Sequence, residues 1–406
     1  MAVNTTLTAD IIAKAAVMQL DNNLVMGKQV FRGYDQEFRK NINGYEVGSS
    51  ITIRRPMDFT VRDGAVMNTQ DVTEGMMTMS VNKRKGIDFE FTSQDLTLNI
   101  KQLSDRVIKP AMIQLANQID ADLMALYKDV NNWVGTPGQT VNSFADFAKA
   151  PERLDELAVP QDGRVAVLSP ADHWGLLGNQ TGLYIQNAAN GAYRQGSLGM
   201  IGGVDTYMSQ NVPTHTVGAD VTAVTVNQAV TASTISYNDV KNTMQQTITI
   251  IGGTLNAGDV FTIDGVYEVN PVTKASTGKL KQFTVVSYAS NSLTFSPAII
   301  WSGAFQTASV ASGVTDLNTK TITVMGSAST GYRQNMVFSK NAFALVTVPL
   351  VAPPGAVDVS RQSYKGINVR VIPVYDGTND VSRWRLDILY GVKTIDPRQS
   401  VRLSGT

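Results

Sequence analysis

Two long stretches near the N-terminus alternate apolar and polar residues almost without a break, and no other feature narrows the possible folds as far. In residues 51–63, ITIRRPMDFTVRD, one face carries Ile51, Ile53, Arg55, Met57, Phe59 and Val61. The other carries Thr52, Arg54, Pro56, Asp58, Thr60 and Arg62. In residues 77–91, MTMSVNKRKGIDFEF, the apolar face is Met77, Met79, Val81, Ile87, Phe89 and Phe91, interrupted by Lys83 and Lys85. Period two marks strands with one covered face. Each run is at least twice the usual strand length of about 5–6 residues, and a dozen residues at about 3.3 Å each reach roughly 40 Å. A two-stranded ribbon of that length, joined by a polar turn over 63–75, cannot bury its apolar face against itself. Pro56 suits an edge or a bulge, because it has no N–H for a ladder. The ribbon needs a surface to lie on. A neighbouring copy of the same chain is the economical one; the alternative is two strands of an ordinary sheet.

The helices flank these runs. Residues 8–20 place Ile11, Ile12, Ala15, Met18 and Leu20 along a stripe, with Thr8 as N-cap. Residues 104–131 place Ile108, Met112, Leu115, Ala116, Ile119, Leu123, Leu126, Tyr127 and Val130 at spacings of three and four. Ser104 is the expected N-cap, with Asp105 in the first turn. Pro110 kinks the first turns or marks the start of the regular helix. A helix of about 20–25 residues exceeds roughly 30 Å and can serve as a spine.

Residues 136–220 read as mixed α/β, with a helix over 143–157 and a strand RVAVLS. The stretch that follows, VLSPADHWGLLG, sets Ser169, Asp172 and His173 within one turn. Serine, carboxylate and imidazole are the ingredients of a hydrolase. The spacing also fits a helix start, with Ser169 at Ncap, Pro170 at N1, Asp172 at N3 and Gly178 as the stop. A nucleophile elbow would need glycines where Val167 and Ala171 stand. The cap is the stronger reading. His215 lies in a polar loop with no patterned partner. GSLGMIGGV at 196–204 lacks the spacing and Lys-Ser/Thr ending of a phosphate loop. Asp120 and Asp122, two apart on a helix, diverge. No catalytic, cofactor-binding or metal residue is assigned.

After Asp220 the chain turns poor in charge and rich in Thr, Val, Ser and Gly. Short strand patterns recur in QQTITIIGG, DVFTIDGVYEV, KQFTVVSYA, NSLTFSPAI and KTITVMG, separated by turn residues. They suggest an antiparallel barrel or sandwich over 221–331, inserted because the α/β pattern resumes at NMVFSKNAFALVTVPLV. A glycan-binding role is open to it, though its aromatics are sparse.

Composition bounds the function. Lys+Arg and Asp+Glu both number 34, so the net charge is zero, unlike a chain built to displace phosphate counterions. There is no cysteine, which removes disulfides and thiolate chemistry together. No run of about 18 apolar residues offers a membrane span, and MAVNTTLTADIIAKAAVMQL is not patterned as a signal peptide.

The order of parts, an N-terminal arm, a long two-stranded loop, a spine helix and an α/β domain, resembles the major capsid proteins of tailed double-stranded-DNA phages. DFEFTSQDL leading into SDRVIKPAMIQLANQIDADLMALY, and VAVLSPADHWGLL with GSLGMIGGVDTYMSQNVP, are similar to that family. AGDVFTIDGVYEV and LDILYGVKTIDPRQSVRLSG resemble the coat proteins of short-tailed Salmonella phages. The resemblance implies an α+β, Hong Kong 97-like (HK97-like) capsid fold with an inserted all-β barrel. It implies an arm over 1–46, an extended loop over 47–92 and a peripheral domain over 93–135 and 376–406. It further implies an apical domain over 136–220 and 332–375, with the barrel over 221–331. The function implied is a non-enzymatic major capsid subunit that self-assembles into hexamers and pentamers of an icosahedral head. Scaffolding and portal proteins, and packaged DNA held without sequence-specific contacts, are the implied partners; no membrane or cofactor is. Assembly would take place in the host cytoplasm, and the product would be a virion component. Arg54, Arg55, Arg62, Asp63, Lys83, Arg84, Lys85, Asp88 and Glu90 are the expected intersubunit contacts. The rivals are a β-rich adhesin and a serine hydrolase.

Overall fold

The structure is a computed structural model that describes residues 9–34, 48–55, 72–92, 107–180, 198–353 and 359–406, with isolated positions between 38 and 69. They form two compact units. The first is drawn from 1–52, 78–123 and 343–393, the second from 53–77, 124–342 and 394–406.

The first unit is built on a sheet with strands in the order Phe343–Val348, Val381–Thr394, Ile367–Asp376 and Ser360–Tyr364. Lys83–Thr92 joins it, antiparallel to Val381–Thr394, from Thr92 opposite Val381 to Lys83 opposite Tyr390. The second alternating run is therefore two strands. Met76–Ser80 pairs with Ser50–Arg54 as a hairpin, and Lys83–Thr92 lies in a sheet of its own chain. For residues 83–92 the ordinary-sheet alternative holds, and the ribbon itself is five residues a side. The physical reason is the partner: Val381–Thr394 is 14 residues long and sets Arg383 and Arg385 opposite Glu90 and Asp88. Pro56 lies outside the described residues.

The N-terminal helix, Ala9–Asn23, packs on Ser360–Tyr364 and Ile367–Asp376 and buries Ile12, Ala13, Ala16, Val17 and Leu20. Its inward stripe is thus displaced from the expected one, and Ile11 and Met18 face outward. Thr8 lies outside the described residues. The spine helix runs Lys109–Met124 and tightens into a 3₁₀ turn, Ala125–Asp129. Its regular α-helical part is 16 residues, about 24 Å. Pro110 occupies the second position, where a missing N–H breaks no helical bond. Ser104 and Asp105 lie outside the described residues.

Asp120 and Asp122 do diverge. Asp122 meets Lys83 at 3.2 Å and accepts from the Tyr390 hydroxyl at 2.5 Å. Asp120 is buried and accepts from the backbone N–H groups of Val25 at 2.6 Å and Gly27 at 2.8 Å. Burial pushes its carboxyl from 3.8 up to about 6, against those donors. Between these values the folded state holds the extra proton. The group's contribution to stability is then full below about pH 4 and is lost as pH rises through about 6. Asp120→Asn is expected to gain stability relative to wild type between about pH 4 and 7. Urea titrations at the two pH values measure the difference; one that does not change with pH overturns the assignment.

In the second unit a six-stranded mixed sheet runs Trp133–Val134, Ser400–Leu403, Asn335–Ser339, Arg164–Leu168, Val204–Met208, Met200–Ile201. Helices Phe144–Glu156 and Pro170–Gln180 cover it over a core that includes Phe147, Leu154, Leu168, Leu176, Val337 and Val401. The first is capped by Ser143, which accepts from the Asp146 N–H at 3.1 Å. Gly178 does not stop the second; the helix continues through it to Gln180. Segment 332–375 is divided between the units: Asn335–Ser339 lies here, and the strands after it lie in the first. A cut between 375 and 376 falls within the strand Ile367–Asp376, whose pairing includes Tyr375–Ser382 and Asp376–Val381.

All five strand patterns read in 221–331 are strands here, joined by Thr225–Val226 and Ala308–Val310 in a seven-stranded sheet. Bonds from the Val226 N–H to Lys320 and from the Ile322 N–H to Val224, at 2.9 and 2.8 Å, link its first strand to its last. Phe261, Phe283 and Phe295 meet at its centre with ring centroids 5.2–5.6 Å apart.

Candidate assembly surface

Charged positions on the alternating runs are mostly engaged within the chain. Arg54 pairs with Glu74 across the hairpin at 3.0 Å, Lys83 with Asp122 at 3.2 Å, and Arg84 with Asp387 at 2.8 Å. Glu90 meets Arg383 at 3.1 Å and Asp88 meets Arg385 at 3.9 Å, each directly across the ladder. Exposed pairs of this kind add little stability. They do penalise the wrong alignment, because a one-residue slip moves every side chain to the other face. These charges set register within the subunit. Arg55 has a half-buried side chain whose Nε has no hydrogen-bond partner, and Lys85 is exposed. Arg62 and Asp63 lie outside the described residues.

The hairpin also exposes large apolar side chains. Val61 is 99% exposed, Val66 83% and Met67 79%, with Phe59 and Val72 also exposed. Single exposed apolar residues are ordinary; here five fall within residues 59–72. The turn over 63–75 was expected to be polar, and the signal that separates it is the short run Ala65-Val66-Met67.

The hydrolase ingredients are a helix cap. Ser169 donates to Asp172 at 2.5 Å and accepts from the Asp172 N–H at 3.3 Å. Asp172 also accepts from the Val141 N–H at 2.8 Å and from the Asn335 amide at 2.9 Å. Ser169, Asp172 and His173 are all buried, with Asp172 committed to holding a loop and a strand. Among the described residues no three His, Asp or Glu side chains stand together as a metal site, and no helix is long and apolar enough to cross a membrane.

His215, which has no visible partner in the sequence, is the centre of a buried polar chain. Its Nδ1 lies 3.0 Å from the Tyr127 hydroxyl and its Nε2 2.7 Å from Asp259. Asp259 accepts as well from the Gly218 and Asn256 N–H groups, at 3.2 and 2.7 Å. Beside them Arg402 is wholly buried between the rings of Tyr127 and Trp133, 5.1 and 5.9 Å away. It donates to the Gly258 carbonyl at 2.7 Å, and to Gln334 and Thr284 at 3.3 Å each. Burial pushes its guanidinium down to about 9. The Gln282 amide both accepts from and donates to the Trp133 backbone at 2.8 Å, as a paired strand would. Residues from 221–331 are thereby fastened to the six-stranded sheet through buried hydrogen bonds.

The fold is similar to that of solved structures. A structure from Mycobacterium phage Che8 superposes with a TM-score of 0.50 at 14% identity, over 94% of this chain and 92% of that one. The capsid structure of Cyanophage P-SCSP1u gives 0.44 at 12% identity, over 89% and 84%. The CUS-3 coat protein I-domain covers 26% of this chain and 96% of its own at 25% identity, with a TM-score of 0.21. No relative is found among curated protein sequences. The family model described as P22 coat protein, gene protein 5, matches residues 1–405. With that match spanning the fold described above, the chain belongs to the P22 coat protein family and is a major capsid protein of a phage head.

Proposed function

We propose that this subunit closes into an icosahedral shell of hexamers and pentamers, with the hairpin of one copy seated on its neighbour. The arm over 1–46 and the hairpin adapt to the two local symmetries. The region 221–331 acts as an inserted β-barrel that stiffens the subunit, and the joined first and last strands support that reading. Scaffolding and portal proteins are the partners of assembly, which takes place in the host cytoplasm. Zero net charge suits a wall that holds packaged duplex without sequence-specific contacts. The observation that carries the assembly reading is the exposed apolar hairpin tip. Each contact it makes is small, and closed symmetry multiplies it.

Negative-stain microscopy of the subunit, alone and with a scaffolding protein, tests the reading: closed shells or curved sheets support it, and monomers under both conditions overturn it. The double variant Val66→Asp, Met67→Asp should lower shell yield by about tenfold or more, because burying each apolar side chain contributes about 1.5–3 kcal/mol. Its unfolding free energy should move by less than about 0.5 kcal/mol, as for other surface substitutions. Shells at wild-type yield would remove the tip from the interface.

A further inference from the structure

The apolar side chains at the hairpin tip are exposed, and the base of the hairpin is held. Just behind the tip its backbone rests on the turn after Ser236. A Cβ on Gly75 would stand 2.3 Å from the Lys241 carbonyl oxygen, so only glycine permits that approach. The next residue, Met76, donates its N–H to Asn242 at 2.9 Å, and Arg55 donates its N–H across the hairpin to Gly75 at 2.9 Å. On the other limb Asp58 lies 3.6 Å from Lys274 and 3.9 Å from Arg398.

The receiving groups are themselves held in place. Lys274 sits in a tight turn in which Asn270 accepts from the Val272 and Thr273 N–H groups at 2.9 and 3.0 Å. Arg398 is fixed by Asp396 at 3.0 Å. The Tyr237 ring, next to Gly75, is stacked on Phe305 with centroids 3.5 Å apart. Both limbs thus meet a preorganised socket, which lowers the ordering cost of seating them.

From this arrangement we propose that residues 237–242, 274 and 396–398 form a socket that aims the hairpin at the neighbouring subunit. The inference rests on the assembly reading above. Val61, Val66 and Met67 stay exposed while the base is seated, so the socket directs the adhesive tip and does not hide it. Asp58 is its electrostatic key: one carboxylate facing two cations, with Asp58 and Arg398 open to solvent at 37% and 47% and Lys274 largely covered at 13%.

Hydrogen–deuterium exchange on the free subunit reads the seating, and microscopy of the same preparations reads assembly. Asp58→Lys should raise exchange across 53–77 by at least about tenfold and reduce well-formed shells in favour of irregular sheets. Adding Lys274→Asp should restore most of both. About 1 M salt, where the Debye length is about 3 Å, should raise wild-type exchange part of the way towards that of Asp58→Lys, because screening weakens the attraction without adding repulsion. Asn242→Ala, a change at the contact with Met76, provides a second and milder probe in the same direction. If Asp58→Lys leaves exchange unchanged, the socket does not exist. If exchange rises and shells form normally, the socket exists but does not aim assembly. If wild type itself forms no shells, the assembly reading fails while the exchange result still decides the socket.

Discussion

Arg402→Ala is expected to destabilise the subunit by more than about 4 kcal/mol and to leave little of it soluble. A folded domain has only about 5–15 kcal/mol to lose. The side chain is wholly buried and serves three acceptors, the Gly258 carbonyl, Gln334 and Thr284. Alanine strands the Gly258 carbonyl and the Gln334 side-chain oxygen, at about 1–3 kcal/mol for each buried group left unsatisfied, while the Thr284 hydroxyl keeps its bond to the Lys128 carbonyl at 2.8 Å. It also opens a cavity between Tyr127 and Trp133, where the guanidinium now lies against both rings. Arg402→Met separates the two losses. It keeps most of the stem's volume and removes a cation that burial already disfavours, so about half the cost should return. Urea unfolding followed by tryptophan fluorescence gives both numbers. An alanine variant within about 1 kcal/mol of wild type would show that the contacts around Arg402 are incidental.

Nothing in the local sequence marks Arg402 for burial. It stands in VRLSG, where alternation reads Val401 and Leu403 as inward and the arginine as solvent-facing. Both faces of that strand are covered, the second by groups distant in the chain, Tyr127, Trp133, Gly258 and Thr284, and periodicity carries no information about such pairing. The same limit explains residues 83–92. Their alternation was legible, but their partner, Val381–Thr394, lies far along the chain. Two features whose causes are local were read correctly. Ser169 and Asp172 close a helix start because cap chemistry spans three residues. The five strand patterns after Asp220 are bounded by turn residues that act on their own neighbours. At the candidate surface the charges were visible and their within-chain partners were not: Arg54, Lys83, Arg84, Asp88 and Glu90 each meet an opposite charge of the same chain. The apolar tip was hidden by its setting, since Val66 and Met67 interrupt a turn that is otherwise polar.

Asp387 is where this within-chain pairing has its largest consequence, and Asp387→Ala is expected to cost about 3–5 kcal/mol. One buried carboxylate receives Arg370 at 2.5 Å, Arg84 at 2.8 Å and Arg385 at 2.9 Å. Removing one partner of a buried pair leaves the other charge uncompensated, and Arg370 is only 7% exposed. The ladder is shaped around the site: Gly86 is the residue opposite, and a Cβ there would stand 2.6 Å from the carboxylate. Burial alone would raise the Asp387 carboxyl, but hydrogen bonds from Arg370, Arg84 and Arg385 hold it below its usual 3.8. Its contribution is therefore full above about pH 4 and is lost as the pH falls through the lower folded value. Asp387→Ala should unfold at lower urea than wild type near neutral pH, and the gap should narrow in acid. The double variant Asp387→Leu, Arg370→Met tells a lost interaction from a lost shape. If the cost of the single variant is an orphaned arginine, removing that arginine too should recover at least about 2 kcal/mol, since apolar replacements of buried pairs are often neutral. If the double variant is no better than the single, the three arginines are held by the sheet and not by Asp387. The alignment of 83–92 on 381–394 would then rest on its apolar pairs, Ile87 with Leu386 and Phe89 with Trp384.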